Sequence, residues 1–201
     1  MRIGILVEGS TERAFKPFLV EFLRGRLAGR MPKLDFFPCD GRVYKGDKLR
    51  RAVVALLSHG QEPADAVIAL TDVYTGSGDF TDAAEAKRKM RAWVGDEPRF
   101  HPHAAQHDFE AWLLPFWADI QRLAGHNRAA PAGSPETVNH AKPPAAHLSE
   151  IFRLGGRRSY AKPREAAAIL RGKDLAVAAE QCPELKAFLN RILVLSGGEP
   201  L

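Results

Sequence analysis

Apolar residues arrive along this chain in two rhythms. Ile3-Gly4-Ile5-Leu6-Val7 is a short, nearly continuous apolar run, the pattern of a strand covered on both faces within a parallel sheet. It stops at Glu8-Gly9. Ser10 or Thr11 is placed to cap a helix, and Phe15, Phe18, Leu19, Phe22, Leu23 and Leu27 then recur at three- and four-residue spacing, one face of an amphipathic helix. The alternation repeats. Leu34 to Cys39 predicts a second strand, and Leu49, Val53, Leu56 and Leu57 mark a second helix. Ala66 to Thr71 predicts a third strand, ending at Asp72-Val73-Tyr74; a Gly/Ser loop from Thr75 to Asp79 and a helix near Thr81 to Val94 follow. A weaker extended piece, Arg99 to Gln106, precedes His107-Asp108-Phe109-Glu110 and a helix over Ala111 to Phe116. Such alternation implies an α/β fold: a central parallel sheet with right-handed crossovers and helices on both faces.

From Asp119 the pattern weakens. Ala129 to Pro144, rich in Ala, Pro, Gly and Ser, reads as a long loop or insertion. Helical pieces resume around His147 to Phe152 and Arg164 to Leu170, and Leu185, Phe188, Leu189, Ile192 and Leu193 form a stripe that should pack back on the sheet. The expectation is one structural unit: an α/β core over residues 1–118, then a helical, basic insertion and C-terminal helix over 119–201. A length of 201 residues suits a single domain, and 45% hydrophobic with 26% charged residues suits an ordinary folded protein. No apolar stretch approaches the roughly 18 to 20 residues of a membrane span, and the N-terminal run meets Glu8 without a cleavage site. The chain therefore reads as cytoplasmic, without a membrane partner. Cys39 and Cys182, with no CxxC spacing, indicate neither a disulfide framework nor a thiolate zinc site.

Net charge is +5, compatible with a polyanionic partner. Its excess lies late: residues 1–118 hold 17 basic and 16 acidic side chains, residues 119–201 hold 12 and 8. Arg153, Arg157, Arg158, Lys162 and Arg164 fall in a segment without an acid, with Tyr160 among them. Such a run could grip phosphates or be a solvated face. Lys45 and Lys48 flank a glycine and precede a helix, a second place for a phosphate, though neither a P-loop nor a GxGxxG is present. His101, His103 and His107 would share one face if all lay in a strand, without the carboxylate or thiol a zinc site usually adds. His107, beside the acids, could order a water or contact a phosphate. Ser77 reads as part of a mobile loop rather than as a nucleophile.

Acids, by contrast, fall in a pattern. In an open parallel sheet functional groups gather beyond the carboxyl ends of the strands; Glu8 follows the first strand, Asp72 the third, and Asp108 with Glu110 the fourth. Like charges so gathered repel unless a hard divalent cation with oxygen ligands neutralises them. A magnesium-type site is the natural reading; the other is that one or more of these acids caps a helix or pairs with an arginine.

Val7-Glu8-Gly9-Ser10-Thr11-Glu12, Leu70-Thr71-Asp72-Val73-Tyr74 and Gln106-His107-Asp108-Phe109-Glu110-Ala111-Trp112-Leu113 resemble the three signatures of a bacterial Toprim-like family, domain of unknown function family 4276. Lys45 to Leu49, Pro143 to Leu148, Tyr160-Ala161-Lys162 and Cys182-Pro183 resemble further elements of it. The resemblance implies the topoisomerase-primase fold, distantly similar to the Toprim domain of overcoming-lysogenization-defect nucleases, with magnesium or manganese held at a phosphodiester. It also suggests an ABC-like ATPase partner and a phage-defence setting. Glu8 matches the Toprim glutamate, and Asp72 the first aspartate of the Asp-x-Asp motif. Tyr74 replaces the second aspartate, so either Asp108 or Glu110 supplies the missing charge or the site is weaker. The function expected is a magnesium-dependent phosphodiesterase acting on DNA or RNA. Glu8, Asp72, Asp108 and Glu110 would be its metal ligands. Glu8, Asp72, Glu110 and Lys162 would be catalytic, and Lys45, Lys48, Arg157, Arg158 and Lys162 would contact nucleic acid. The alternative is a catalytically degenerate Toprim module that binds nucleic acid or regulates an ATPase partner.

Overall fold

In the computed structural model, which describes all residues except 30, 59–61, 75–77, 140–141 and 157–159, the three expected strands and the weaker extended piece become four parallel strands. They are β1 (Arg2–Val7), β2 (Lys33–Pro38), β3 (Ala66–Asp72) and β4 (Phe100–Ala105), in the order β2-β1-β3-β4. β1 thus lies beside β3, with Ile3 opposite Ala66 and Val7 opposite Leu70. That neighbouring places Glu8 and Asp72 at the same sheet edge. The central position of β1 and β3 explains why they read as unbroken apolar runs: β3 is buried along its whole length, whereas edge strand β2 is only partly covered.

Alternate side chains of each strand feed two layers. Ile3, Ile5 and Val7 join α1 (Ser10–Arg24), while Leu6, Val67 and Ala69 join α2 (Gly46–Ser58) and α3 (Ala83–Val94). The α1 stripe of Phe15, Leu19, Phe22 and Leu23 is buried as its spacing predicts. Its cap differs from expectation. Helix α1 begins at Ser10, so Gly9 is the N-cap, and its free backbone N–H donates to Glu12 Oε2 at 3.0 Å. A glutamate at the third helical position, rather than Ser10 or Thr11, satisfies the end of the helix.

Past β4 the chain forms a 3₁₀ helix, Phe109–Phe116, then α4 (Trp117–Ala124), α5 (Pro144–Leu154), α6 (Lys162–Leu170), α7 (Leu175–Gln181) and α8 (Pro183–Leu195). The helix expected over Ala111 to Phe116 is therefore the 3₁₀ segment, and α4 and α7 are additional to the sequence reading. Apolar residues buried on nearly every side of Phe109–Phe116 leave no amphipathic period from which to tell one helix type from another. The expected C-terminal stripe does return to the core: Phe188 stacks on Trp112 with ring centroids 5.9 Å apart and meets the His103 ring edge-on at 5.7 Å. One glycine is required by packing. At Gly155 a Cβ would sit 1.7 Å from the Ala124 carbonyl oxygen, so only glycine lets the ends of α4 and α5 touch. Cys39 and Cys182 are buried thiols, and among the described residues no helix is long and apolar enough to cross a membrane.

Candidate active site at the carboxyl edge of the sheet

Residue 8 is the first after β1 and residue 72 the last of β3, and the two strands are hydrogen-bonded neighbours. Their acids therefore meet. Glu8 Oε1 accepts from the Thr71 hydroxyl at 2.6 Å and from the Asp72 backbone N–H at 2.9 Å. Glu8 Oε2, buried, has no hydrogen-bond partner. The nearby Tyr74 hydroxyl also favours the charged form of Glu8. Burial nevertheless pushes the Glu8 carboxyl above its ordinary value. For Asp72 burial acts with four other acids, Glu8, Glu12, Asp108 and Glu110, and drives its carboxyl well up.

A cleft of about 160 Å³ opens over these groups, and Glu8, Glu12, Asp72, Tyr74, Glu110 and Lys162 are in its wall. Helix α6 starts at Lys162, whose ammonium sits astride the Glu110 carboxylate, 3.2 Å from Oε1 and 3.3 Å from Oε2. Burial works against the Lys162 charge, but Glu110 and Asp108 outweigh it and raise its pKa. Four residues expected in one site from four separate stretches of sequence, Glu8, Asp72, Glu110 and Lys162, thus line one cleft.

The remaining expected site residues are placed differently. Asp108 is buried beside the cleft and not in its wall: its Oδ2 accepts from Ala145 N–H at 3.1 Å, holding the first turn of α5, and burial with the nearby Glu110 pushes its carboxyl up to about 7. Lys45 is outside the cleft and pairs with Asp79 at 2.6 Å. Lys48 stands over the Tyr44 ring at 4.0 Å. In the basic segment Arg164 pairs with Glu165 at 2.6 Å, so it is not a uniformly free run of cations, and Arg157 and Arg158 lie outside the described residues, as does Ser77. The three histidines do not share a face, because β4 stops at Ala105 and His107 takes a left-handed backbone, φ 71°. Among the described residues, moreover, no three His, Cys, Asp or Glu side chains stand grouped as a ready-made metal cage. The reason is visible in the partners: Glu8 is turned toward Thr71, Glu110 toward Lys162, Asp108 toward α5 and Glu12 toward Gly9.

Glu12 is the cleft residue that the strand-end argument passes over. It belongs to a helix rather than to a strand end, one turn after Glu8, and its signal was the Glu8-x-x-x-Glu12 spacing across a strand-to-helix turn. Tyr74 is the other informative residue. Its backbone is left-handed at φ 48°, its N–H donates to the His107 carbonyl at 2.8 Å, and the Arg42 guanidinium lies 5.2 Å from its ring centre. Burial, then Asp72 and Glu8, push its hydroxyl up, so it stays a protonated donor where a further carboxylate would have added charge.

The four-stranded parallel sheet with helices on both faces gives the chain an α/β, Toprim-like fold. The family model for a domain of unknown function (DUF4276) matches residues 7–193, and the chain belongs to that family. Among solved structures, the C-terminal region of the Burkholderia pseudomallei OLD protein is similar over 96% of this chain and 98% of its own, at 16% identity and a TM-score of 0.53. The C-terminal region of the Xanthomonas campestris pv. campestris OLD protein is similar over 97% and 95%, at 16% identity and a TM-score of 0.50. At such identity the likeness is one of fold. No curated protein matches the chain in sequence.

Proposed function

We propose that this chain is a phosphodiesterase acting on nucleic acid, dependent on magnesium or manganese. The observation that carries the reading is the meeting of Glu8 and Asp72 from neighbouring strand ends in a cleft closed on its other side by Lys162. The residues fit a divalent cation: Glu8 Oε2 is buried with no partner, and Asp72 is buried among four acids whose repulsion a cation would relieve. Glu8 and Asp72 would hold the ion, with Glu12 and Glu110 within the same wall. When bound, it would polarise the phosphate and make water a better nucleophile. The chain's own groups would do the rest. Lys162, kept charged by Glu110, would neutralise a phosphate oxygen as charge builds there. The protonated Tyr74 hydroxyl would donate to the same phosphate. Asp108 would act indirectly, by fixing α5 beside Glu110. The likeness of fold to the OLD protein's C-terminal region supports the reading by analogy. An ATPase partner and a role in phage defence go with it as further parts of the proposal.

Two observations favour a second reading, a degenerate module that binds nucleic acid or regulates a partner: Tyr74 stands where a further acid would complete the charge, and the acids are not already grouped as a cage. One experiment separates the two. Single-stranded and duplex DNA and RNA are incubated with the protein and manganese or magnesium, alone and with a candidate ATPase. Cleavage that Glu8→Gln and Asp72→Asn each reduce by at least about a hundredfold is expected. Cleavage that survives both substitutions would refute the carboxylate mechanism. A metal-induced rise in melting temperature without cleavage would favour the degenerate module.

A further inference from the structure

Apart from the acidic cleft, a groove of about 450 Å³ runs between α1 and edge strand β2. Arg13 and Lys16 of α1 form one wall, and Phe36 of β2, whose ring is on the α1 side of the sheet, forms the other, while Phe37 borders the groove with its ring packed on the α2 side and Arg2 and Lys33 complete the lining. Four cations thus face a single acid, Asp35. That acid is already taken by Arg2, at 2.6 Å, and Lys33 pairs outward with Glu62, also at 2.6 Å. Among the described residues no carboxylate lies within 4.0 Å of Arg13 or Lys16. Lys16 instead stands 5.9 Å from the centre of the half-buried Phe36 ring. Two cations without a carboxylate partner beside the part-exposed Phe36 ring are an anion-binding surface with a place for a flat, apolar group.

The groove also leads somewhere. Helix α1 begins with Ser10, Thr11 and Glu12 in the wall of the acidic cleft, and Arg13 and Lys16 follow within the next turn and a half of the same helix. On the other side β2 runs through Phe37 into the turn whose Gly41 N–H donates to the Glu8 carbonyl at 2.8 Å and which also borders the cleft. Cleft and groove therefore lie along the same helix, and the strand that borders one runs into the turn that borders the other. We infer that the groove carries a single nucleic-acid strand away from the cleft, with phosphates on Arg13 and Lys16 and an unpaired base against Phe36. A duplex offers phosphates to such a surface but keeps its base faces stacked, so the aromatic ring selects the single strand. The inference rests on the reading of the cleft as a nucleic-acid site and adds to it the form of the substrate and its path.

The test measures binding of a labelled single-stranded oligonucleotide and of the matching duplex, without divalent metal, across a salt series. The proteins compared are the wild type, Arg13→Gln with Lys16→Gln, Phe36→Leu, Glu8→Gln and Asp72→Asn. Loss of two phosphate contacts should make the salt slope for single strands shallower by about 1.4, at roughly 0.7 for each phosphate. Phe36→Leu keeps an apolar side chain against the core and should weaken single-strand binding about tenfold while leaving duplex binding unchanged. Melting curves report whether each variant is folded. Unchanged affinity and slope in the Arg13→Gln, Lys16→Gln protein would overturn the groove, even while Glu8→Gln and Asp72→Asn abolish cleavage and leave the cleft reading intact. An equal loss of single-strand and duplex binding in Phe36→Leu would overturn the single-strand assignment. Groove-dependent binding with no metal-dependent shift and no cleavage would instead sink the cleft reading and leave the groove standing.

Discussion

Asp72 has the least favourable electrostatic position among the acids of the cleft. Buried at the end of β3 and surrounded by Glu8, Glu12, Asp108 and Glu110, its carboxyl is pushed well above its ordinary value of 3.8. A carboxyl whose pKa is higher in the folded than in the unfolded chain binds more protons when folded, so its contribution to stability falls as pH rises above the unfolded pKa. His101 and His103, which burial lowers to about 4 and about 3, act in the opposite direction up to their unfolded pKa of about 6.5. A single melting profile mixes the two. The comparison with Asp72→Asn cancels the histidines and reports the acid together with its effect on Glu8: over pH 4 to 7.5 in metal-free buffer the variant should gain on the wild type as Asp72 ionises. A difference in melting temperature that stays flat over that range would show that Asp72 does not carry the strain assigned to it. With magnesium present at pH 7.5 the order should reverse, because the cation needs the charge that the variant lacks.

At the scale of elements, the helices after β4 share one apolar core, and contacts at their ends add to it. The α8 terminus is an example. Cys182-Pro183 opens it without a capping side chain of its own, and Glu136, from a distant 3₁₀ turn, accepts instead from Glu184 N–H at 3.0 Å and Leu185 N–H at 3.4 Å. Glu136 Oε1, which accepts from Leu185 N–H, also receives the Trp112 indole N–H at 3.1 Å. One buried acid thus caps a helix and satisfies the largest core side chain. Glu136→Ala should cost about 2 to 3 kcal/mol, read as a lowered urea midpoint, since it leaves buried donors unpaired and removes a negative charge from a helix N-terminus. A cost below about 0.5 kcal/mol would mean that water replaces the carboxylate. Neither this cap nor the α4 to α5 contact at Gly155 was legible in the sequence. Apolar spacing identifies a helix from its own residues, whereas a cap contributed by a residue 48 positions away has no local signature.

For the whole molecule the question is whether the helical residues 119–201 unfold with the sheet. Phe188 lies between Trp112 of the 3₁₀ segment and His103 of β4, so the last helix is inserted in the core that the first strands build. Phe188→Ala should cost about 3 to 5 kcal/mol and lower one cooperative transition, followed by both far-ultraviolet circular dichroism and tryptophan fluorescence. Two separated transitions would divide the chain into independent domains. A cation bound at the sheet edge should raise that same single transition, by about 2.7 kcal/mol at a hundredfold excess over its Kd. Net charge of +5 distributes over the chain unevenly, but not simply by sequence: of the late basic segment, Lys162 turns inward to Glu110 and Arg164 pairs with its neighbour, while Arg13 and Lys16 of α1 face a groove near the opposite end of the sequence.

By itself the sequence determined the alternation of strands and helices, the parallel α/β class and the fact that Glu8, Asp72 and Glu110 fall at or just past strand ends. These are local properties, set by side-chain periodicity and by where an apolar run meets its first charge. It also carried the family resemblance, because short motifs in a constant order survive without any knowledge of contacts. Tertiary structure alone decided what each acid touches. Strand pairing placed Asp72 N–H under Glu8, the start of α6 brought Lys162 across 52 residues to Glu110, and the start of α5 drew Asp108 out of the cleft wall. Two basic residues on a helix look alike in sequence whether a carboxylate meets them or not. That Arg13 and Lys16 meet none, and share their groove with Phe36, follows only from which edge of the sheet α1 packs against, a choice made by the whole set of buried side chains and not by any one segment.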